Sequence, residues 1–248
     1  MTDENQALYP PLNRLKPVAG NLWIVDGPLI RFGPAGFKMP FPTRMTIIRL
    51  GDGGLFVHSP TALPDELKAE VEAIGPVRFI IGPNRLHYAW IADWRAAFPD
   101  AEIWLAPRIR EQAGGRIDFP AHDLDASSTC PWDDAIATLL VAGRYMSEAV
   151  FFHRASRTLV LTDLIENFEP RKLSFLQRLL TWVGAAQDPH GSMPRDMRLN
   201  YSREVLRAAV ETMIGWNPER ILLAHGRWYG RDGAAELRRA FSWLLVAK

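Results

Sequence analysis

Apolar residues along this chain fall into short continuous runs and into helical spacings, and the two patterns alternate. Residues 77–81 form a short apolar run, which is typical of a buried strand, and Gly82 and Pro83 end it. From Leu86 the apolar and small residues recur at a helical spacing. The pattern therefore predicts a strand, a tight turn and a helix, with His87 where the turn meets the helix.

The same two patterns predict the remaining elements. Residues 46–50 and 55–58 are strand-like, and the glycine-rich segment 51–54 between them predicts a hairpin because glycine tolerates positive φ. This order of strands and helices predicts a mixed α/β fold whose sheets are covered by helices. Further strands are predicted at 21–26, 101–105, 135–141, 148–153, 158–161 and 221–223, and further helices at 64–75, 107–112, 175–183 and after the N-caps Ser202 and Asp232.

Two apolar segments leave alternatives open. Residues 28–42 contain four prolines and two glycines, with Phe32, Phe37 and Phe41 between them. They predict a loop whose aromatic side chains either overhang a pocket or pin the loop to the core. Residues 175–183 predict an amphipathic helix, which either packs on the core or meets a membrane or a partner.

The composition sets limits on partners and location. The chain has 248 residues, of which 48% are hydrophobic and 23% charged, and this fits one large globular domain or two small ones. No linker long enough to require two domains is present, so one domain over residues 1–248 is expected. A formal net charge of +1 gives no basic face for nucleic acid, and no apolar run reaches the length of a transmembrane segment. The single cysteine, Cys130, excludes a cysteine-rich zinc site. With a polar, acidic N-terminus unlike a signal peptide, these features predict a cytoplasmic protein.

Three polar residues share one local context. His87, Asp163 and His225 each follow a short apolar strand, just beyond its carboxyl end. Ligands of α/β proteins gather at this edge of a sheet, so the three side chains can converge if their strands lie in neighbouring sheets. Two imidazoles and one carboxylate are suitable ligands for a metal ion. The alternative for His87 alone is a helix cap or a hydrogen-bonded core residue.

The order of elements resembles the metallo-β-lactamase superfamily over nearly the whole chain. This resemblance implies a four-layer αβ/βα sandwich with a metal site along one edge. The family motif His-x-His-x-Asp-His takes the place of residues 82–87, where only the final histidine is retained, as His87. Gly82, Asn84 and Leu86 stand where the other two histidines and the aspartate are expected.

The later motifs of the superfamily are matched in part. Asp163 fits the bridging aspartate after a hairpin strand, and His225, followed by glycine, fits the last histidine ligand. Arg144 replaces the histidine of an intervening Gly-His turn, and His58 stands where an aspartate usually ends the early hairpin. The losses fall mainly on one of the two metals, so the resemblance implies at most a one-metal site in a degenerate branch of the superfamily.

This resemblance implies a metal-dependent hydrolase in which one metal activates water for attack on an ester, amide or phosphoryl substrate. His87, Asp163 and His225 are then the metal ligands, and Asp163 also orients the water. Zinc is the expected metal, and the same ligands suit a single iron. Asn84, Arg85 and Arg144 are expected to bind the substrate, the two arginines through an anionic group.

An alternative belongs to another class of protein. The missing histidines favour a metal-free member that keeps the scaffold to bind a small molecule or a protein partner. The surviving residues at the strand ends favour the hydrolase. Neither pattern predicts which substrate is bound or which oligomer forms.

Overall fold

A computed structural model describes residues 7–32 and 39–245 of the chain. The first of its two sheets has seven strands, and they lie in the sheet in the order of the sequence. Neighbours pair antiparallel as far as the fourth strand and parallel beyond it. The strands are β1 (Lys16–Ala19), β2 (Leu22–Phe32), β3 (Met39–Arg49), β4 (Leu55–His58), β5 (Val77–Gly82), β6 (Glu102–Leu105) and β7 (His122–Asp123).

The second sheet has four strands in the order β11-β10-β9-β8. The two hairpin pairs, β8 with β9 and β9 with β10, are antiparallel, whereas β10 and β11 are parallel. The hairpin predicted around residues 51–54, which joins β3 and β4 of the first sheet, is confirmed. These strands are β8 (Ile136–Val141), β9 (Glu148–His153), β10 (Thr158–Leu161) and β11 (Arg220–Leu223).

Helices cover the outer face of each sheet. Apolar side chains of the first three helices join the core of the first sheet, and those of the fifth to seventh helices join the core of the second. Two short 3₁₀ helices, Pro170–Lys172 and Met197–Leu199, flank the fourth helix. The helices are α1 (Asp65–Ile74), α2 (Ile91–Ala97), α3 (Ile109–Ala113), α4 (Phe175–Val183), α5 (Arg203–Gly215), α6 (Gly233–Ala240) and α7 (Ser242–Leu245).

The two sheets pack face to face because their strands are apolar on both sides. Along β9, Phe151 belongs to the core between the sheets, while Val150 and Phe152 belong to the core beneath α5 and α6. Successive side chains of a strand point to opposite faces, so a strand buried on both faces reads as a continuous apolar run. The order helices, sheet, sheet, helices is the four-layer αβ/βα sandwich that was expected.

The segment 28–42 is a correction to the predicted loop. β2 continues to Phe32 and β3 begins at Met39, and the two strands pair across this region. β4 pairs only with residues 46–49 of β3, so the earlier part of β3 has no partner strand on that side. Proline is tolerated at such an edge because no neighbouring strand needs the N–H donor that it lacks. Phe37 lies outside the described residues.

The helix predicted from Leu86 begins later, at Ile91. The side-chain oxygen of Asn84 accepts hydrogen bonds from the backbone N–H groups of Leu86 (2.8 Å) and His87 (3.2 Å). This local bonding offers the backbone an alternative to the first helical turn. His87 therefore lies in a turn rather than on a helix.

Helix caps and helix packing bring two further outcomes. Ser202 caps α5 as predicted, because its hydroxyl accepts from Val205 N. The cap predicted at Asp232 is wrong, because its side chain makes no hydrogen bond to α6 and its backbone is left-handed (φ 57°). Only its carbonyl oxygen accepts from the helix, from the backbone N–H groups of Ala235 and Glu236. The expectation that residues 175–183 pack on the core is wrong, since Thr181 is the one buried residue of α4.

Across the part of the chain that is described, none of the helices combines the length and the apolar character needed to cross a lipid bilayer.

Trp132 is central to the packing between the sheets. We expect Trp132→Ala to lower the free energy of unfolding by about 3–5 kcal/mol, because the ring is almost fully buried against Phe56 and Phe79. Urea denaturation followed by circular dichroism measures the change. Trp182→Ala is the matched control, since that indole is 68% exposed and its loss should alter stability little. Equal effects of the two substitutions would contradict this packing.

Candidate metal centre

His87, Asp163 and His225 meet at one edge of the two sheets. The Nε2 atom of His87 lies 3.4 Å from Asp163 Oδ2, and Nε2 of His225 lies 3.3 Å from Asp163 Oδ1. The candidate ligand atoms of all three residues lie within 4.8 Å of one another. Asp163 and His225 lie side by side, because their strands β10 and β11 are parallel and Leu161 pairs with Leu223. Each of the two site residues lies two positions after this pair. The convergence predicted from the strand ends is thus present.

Each imidazole is held by its second ring nitrogen. Nδ1 of His87 hydrogen-bonds the hydroxyl of Ser59 at 2.7 Å. Nδ1 of His225 lies 2.8 Å from the carbonyl oxygen of Pro42, to which it donates. Histidine ligands of metals are usually oriented by such a contact, which leaves Nε2 to the metal. Both Nε2 atoms face Asp163.

An apolar wall lies beside His225. The ring of Phe41 is 5.4 Å from the imidazole of His225, and Phe168 stacks on it at 6.3 Å with an interplanar angle of 18°. Phe168 in turn packs with Leu173 and Ala186. The wall therefore joins the long β2–β3 hairpin to the segment that carries α4.

A buried carboxylate positions the turn that carries Asp163. Glu148 accepts hydrogen bonds from the backbone N–H groups of Thr162 (2.8 Å), Asp163 (2.9 Å) and Leu164 (3.1 Å). The side-chain amide of Asn84 donates to Asp163 Oδ2 at 2.6 Å. The Asp163 carboxylate is therefore fixed from its backbone and from its side chain.

The charges at the site are strongly coupled. Burial favours the neutral form of Asp163, but the charges of the two histidines and their hydrogen bonds outweigh it and hold the pKa of this carboxyl below its usual range. Burial likewise opposes the charged form of His225, yet Asp163 raises the pKa of that imidazole overall. Burial, followed by the charge of Asp163, raises the pKa of Glu148 to about 7. At neutral pH Asp163 is consequently an anion facing two imidazoles.

The residues expected to bind the substrate are divided. Asn84 is fully buried and contacts Asp163, whereas the guanidinium of Arg85 is held by Gln112 (2.6 Å) and lies over the ring of Tyr145. Arg144 is exposed on the turn after β8. Their contact with a substrate stays a prediction.

The missing ligand at position 82 has a steric counterpart. A Cβ atom at Gly82 would lie 2.7 Å from Cδ1 of Ile109 and 2.8 Å from Cδ1 of Ile91. Two buried isoleucines thus fill the space next to this residue, which lies at the end of β5. The absence of a histidine there agrees with the packing around it.

Three contributors to the site escaped prediction. Ser59 follows His58 at the end of the early hairpin, which the resemblance had already marked as a site position. Glu148 is an acidic residue at the start of an apolar strand run, and that break in pattern was a signal of a buried, paired carboxylate. The carbonyl of Pro42 carried no signal, because a backbone group reaches the site only through the extended hairpin.

His58 lies next to the centre without joining it. It is buried, its imidazole lies edge-on to Phe151, and burial, together with the charge of His87, lowers its pKa to about 3. Neither ring nitrogen has a hydrogen-bond partner among residues 7–32 and 39–245. His153, by contrast, is buried with Nδ1 2.8 Å from the hydroxyl of Ser156.

A family model described as a domain of unknown function (DUF4336) matches residues 35–188, which is more than half of the chain. The chain belongs to the DUF4336 family. The matched region includes His87 and Asp163, and His225 lies beyond it. A comparison with curated protein sequences finds no match for this DUF4336 protein.

Solved structures place the fold of this DUF4336 protein among the metallo-β-lactamases. A metallo-β-lactamase from Pontibacter korlensis is similar with a TM-score of 0.61 and 10% identity, covering 94% of this chain and 99% of that one. The FIM-1 metallo-β-lactamase from Pseudomonas aeruginosa, in its mono-zinc form, gives 0.58 and 14%, covering 94% and 96%. An enzyme from Hirschia baltica gives 0.58 and 15%, covering 95% and 98%. The fold is metallo-β-lactamase-like, as the resemblance implied.

We expect His58→Phe to raise the free energy of unfolding by about 1–2 kcal/mol, because it removes two unpaired buried nitrogens and keeps an aromatic ring in place. Urea denaturation measures the change. His153→Phe is the control and should destabilise the protein, since it leaves the hydroxyl of Ser156 without this partner. Destabilisation of similar size in both variants would show that His58 has a partner after all.

Proposed function

We propose that this DUF4336 protein is a metal-dependent hydrolase with a one-metal site formed by His87, Asp163 and His225. The observation that carries the proposal is the orientation of the two imidazoles. Each is held at Nδ1, by Ser59 or by a backbone carbonyl, and each directs Nε2 at the same carboxylate. The proposal treats residues 1–248 as one domain.

The donor set fits a single divalent cation. Two neutral imidazoles and one carboxylate are the ligand types of catalytic zinc sites with three protein ligands, and they also suit a non-haem iron. We take zinc as the metal and iron as the alternative. The contacts at Nδ1 support metal binding at this site, because they fix both rings before a metal arrives and so reduce the cost of ordering them.

A bound cation at this site supplies Lewis acidity and a lowered pKa for water at neutral pH. The chain's own residues do the rest. Asp163 would hold the ion together with the two imidazoles and, as a hydrogen-bond acceptor, would orient the attacking water. The amide of Asn84 holds that carboxylate in place. The exposed side chain of Arg144 is the proposed contact for an anionic group of the substrate.

The electrostatics support Asp163 as an anionic ligand of the metal. The pKa of Asp163 is held low, so its carboxylate is charged at neutral pH without a metal. Phe41 and Phe168 line one side of His225, which is itself buried. A cation in such surroundings polarises an ester, amide or phosphoryl oxygen more strongly than it does in bulk water.

A metal-free binding scaffold is the second candidate, and a specific observation favours it. Asp163 already accepts a hydrogen bond from Asn84, and its two oxygens lie 3.4 Å and 3.3 Å from Nε2 of His87 and Nε2 of His225, so the carboxylate has polar partners without a metal. Such a cluster is stable without a metal when His225 is protonated. Metal content separates the two candidates directly.

Elemental mass spectrometry of the purified full chain is the first test. We expect about one zinc or iron per chain, since the three ligands form one open site. His87→Ala and His225→Ala should each lose the metal, while His153→Ala, which removes a buried histidine outside the site, should keep it. No metal in the wild-type chain, even after incubation with zinc, iron and manganese, would overturn the hydrolase and leave the scaffold. A metal-loaded chain would then be screened on esters, lactones and phosphodiesters.

A second prediction concerns the residue behind His87. Ser59→Ala should weaken zinc affinity roughly tenfold to a hundredfold, because the imidazole loses the contact that orients it. Competition with a chelating dye measures the affinity. Ser156→Ala, which removes the equivalent hydroxyl from His153, should leave the affinity unchanged. An unchanged affinity in the Ser59 variant would contradict the role given to this hydroxyl.

A further inference from the structure

Helix α4 exposes its apolar side and turns its polar side toward the rest of the protein. Thr181 is its one buried residue, and its large apolar side chains face outward. Phe175 is 82% exposed and Trp182 is 68% exposed. The exposed apolar face of α4 consists of Phe175, Leu176, Leu179, Leu180, Trp182 and Val183.

The orientation of α4 is fixed by polar contacts. Ser174 and Gln177 form a capping box at its N-terminus, in which each side chain bonds the other's backbone N–H. On the inner side, Gln187 donates to the Thr181 hydroxyl at 2.9 Å and to the carbonyl of Arg178 at 2.6 Å. The helix is therefore held to the domain through its polar side, and its apolar side is presented to the surroundings.

This concentration of apolar surface is local. Nine large apolar side chains are exposed in the part of the chain that the structure describes, and six of them belong to α4. Scattered exposed apolar residues are ordinary on a soluble protein, but a continuous patch marks an interaction surface. The question is what covers it.

The charges around α4 select the partner. Residues 170–187 contain three basic residues, Arg171, Lys172 and Arg178, and no acidic residue. Of the two carboxylates that flank this segment, Asp188 lies 3.5 Å from the guanidinium of Arg227, and Glu169 hydrogen-bonds Tyr9. The acidic residues thus lie at the two ends of residues 169–188, and the charged residues within and directly before α4 are basic.

The turn formed by residues 195–198 lies next to the end of α4 and is also basic. Its backbone contacts α4 where Arg195 N donates to the carbonyl of Gly184. Arg195 and Arg198 there outnumber the one acidic residue, Asp196. A second copy of the chain docked through the same face would bring these like charges together, because a two-fold contact pairs each patch with itself. An anionic lipid surface attracts them instead.

We propose that the exposed apolar face of α4 docks on an anionic membrane surface, with its aromatic and leucine side chains at the boundary between headgroups and acyl chains. Phe, Trp and Leu on one face, bordered by Lys and Arg, are the features of helices that lie in the plane of a membrane interface. The basic border adds attraction to anionic headgroups. The proposal is independent of the metal, since it uses no residue of the site.

Flotation of the full chain with lipid vesicles tests the proposal. The wild type should float with vesicles of phosphatidylcholine mixed with phosphatidylglycerol, and less with phosphatidylcholine alone. A Phe175→Ser/Trp182→Ser variant should lose at least about tenfold in partition to the anionic vesicles, since it removes the two aromatic anchors. Arg171→Gln/Arg178→Gln should also bind them less. Val205→Ser, which changes an exposed apolar residue of α5, should bind like the wild type.

Circular dichroism spectra matching the wild type show that each variant is folded. Three results would overturn the proposal. The wild type fails to float with the anionic vesicles, or the Phe175→Ser/Trp182→Ser variant floats as well as the wild type. The third is a wild-type dimer in analytical ultracentrifugation that this variant converts to a monomer, without vesicle binding, which assigns the face to a second copy.

Discussion

The buried carboxylate of Glu148 is the interaction on which the edge of the two sheets depends. It accepts three backbone hydrogen bonds from residues 162–164, and its own backbone forms a bridge with Asn84 beyond the end of β5. A single acidic residue thus joins the turn that carries Asp163 to the turn that carries His87. Burying a carboxylate is costly unless its oxygens are paired, and here three N–H donors pair them. The separation of two of the three site residues therefore follows from one interaction within the core.

His225, the third site residue, is positioned by the long β2–β3 hairpin. Arg44 lies on the long β2–β3 hairpin and donates to the carbonyl groups of Leu223 and Gly226, at either end of the turn that holds His225. Its charge is balanced by Asp26 at 2.7 Å. A buried ion pair of this kind contributes little net stability, but the two hydrogen bonds of Arg44 attach the turn to the hairpin. The hairpin is thus part of the site's support, which its irregular composition had concealed.

Regular elements and the three site residues could be predicted because they depend on local patterns. His87, Asp163 and His225 stand out because each follows a short apolar strand, and the carboxyl ends of these strands lie at one edge of the two sheets. The late start of α2 was not predictable from apolar spacing, since it depends on where the side chain of Asn84 bonds. Residues 28–42 were read as a loop because prolines usually break strands, and an edge position removes that conflict. The sequence also could not predict that α4 exposes its apolar face. An amphipathic pattern defines such a face but does not tell whether it packs on the core or on another surface.

Packing around Gly82 links the candidate metal centre to helices that carry none of its residues. The space beside that glycine belongs to Ile91 of α2 and Ile109 of α3, two buried core residues. A side chain introduced at position 82 would meet the Cδ1 ends of both isoleucines, so both would have to shift to admit it. The side chain that stands at the end of β5 is therefore set by the core beneath two helices as well as by the chemistry at the sheet edge.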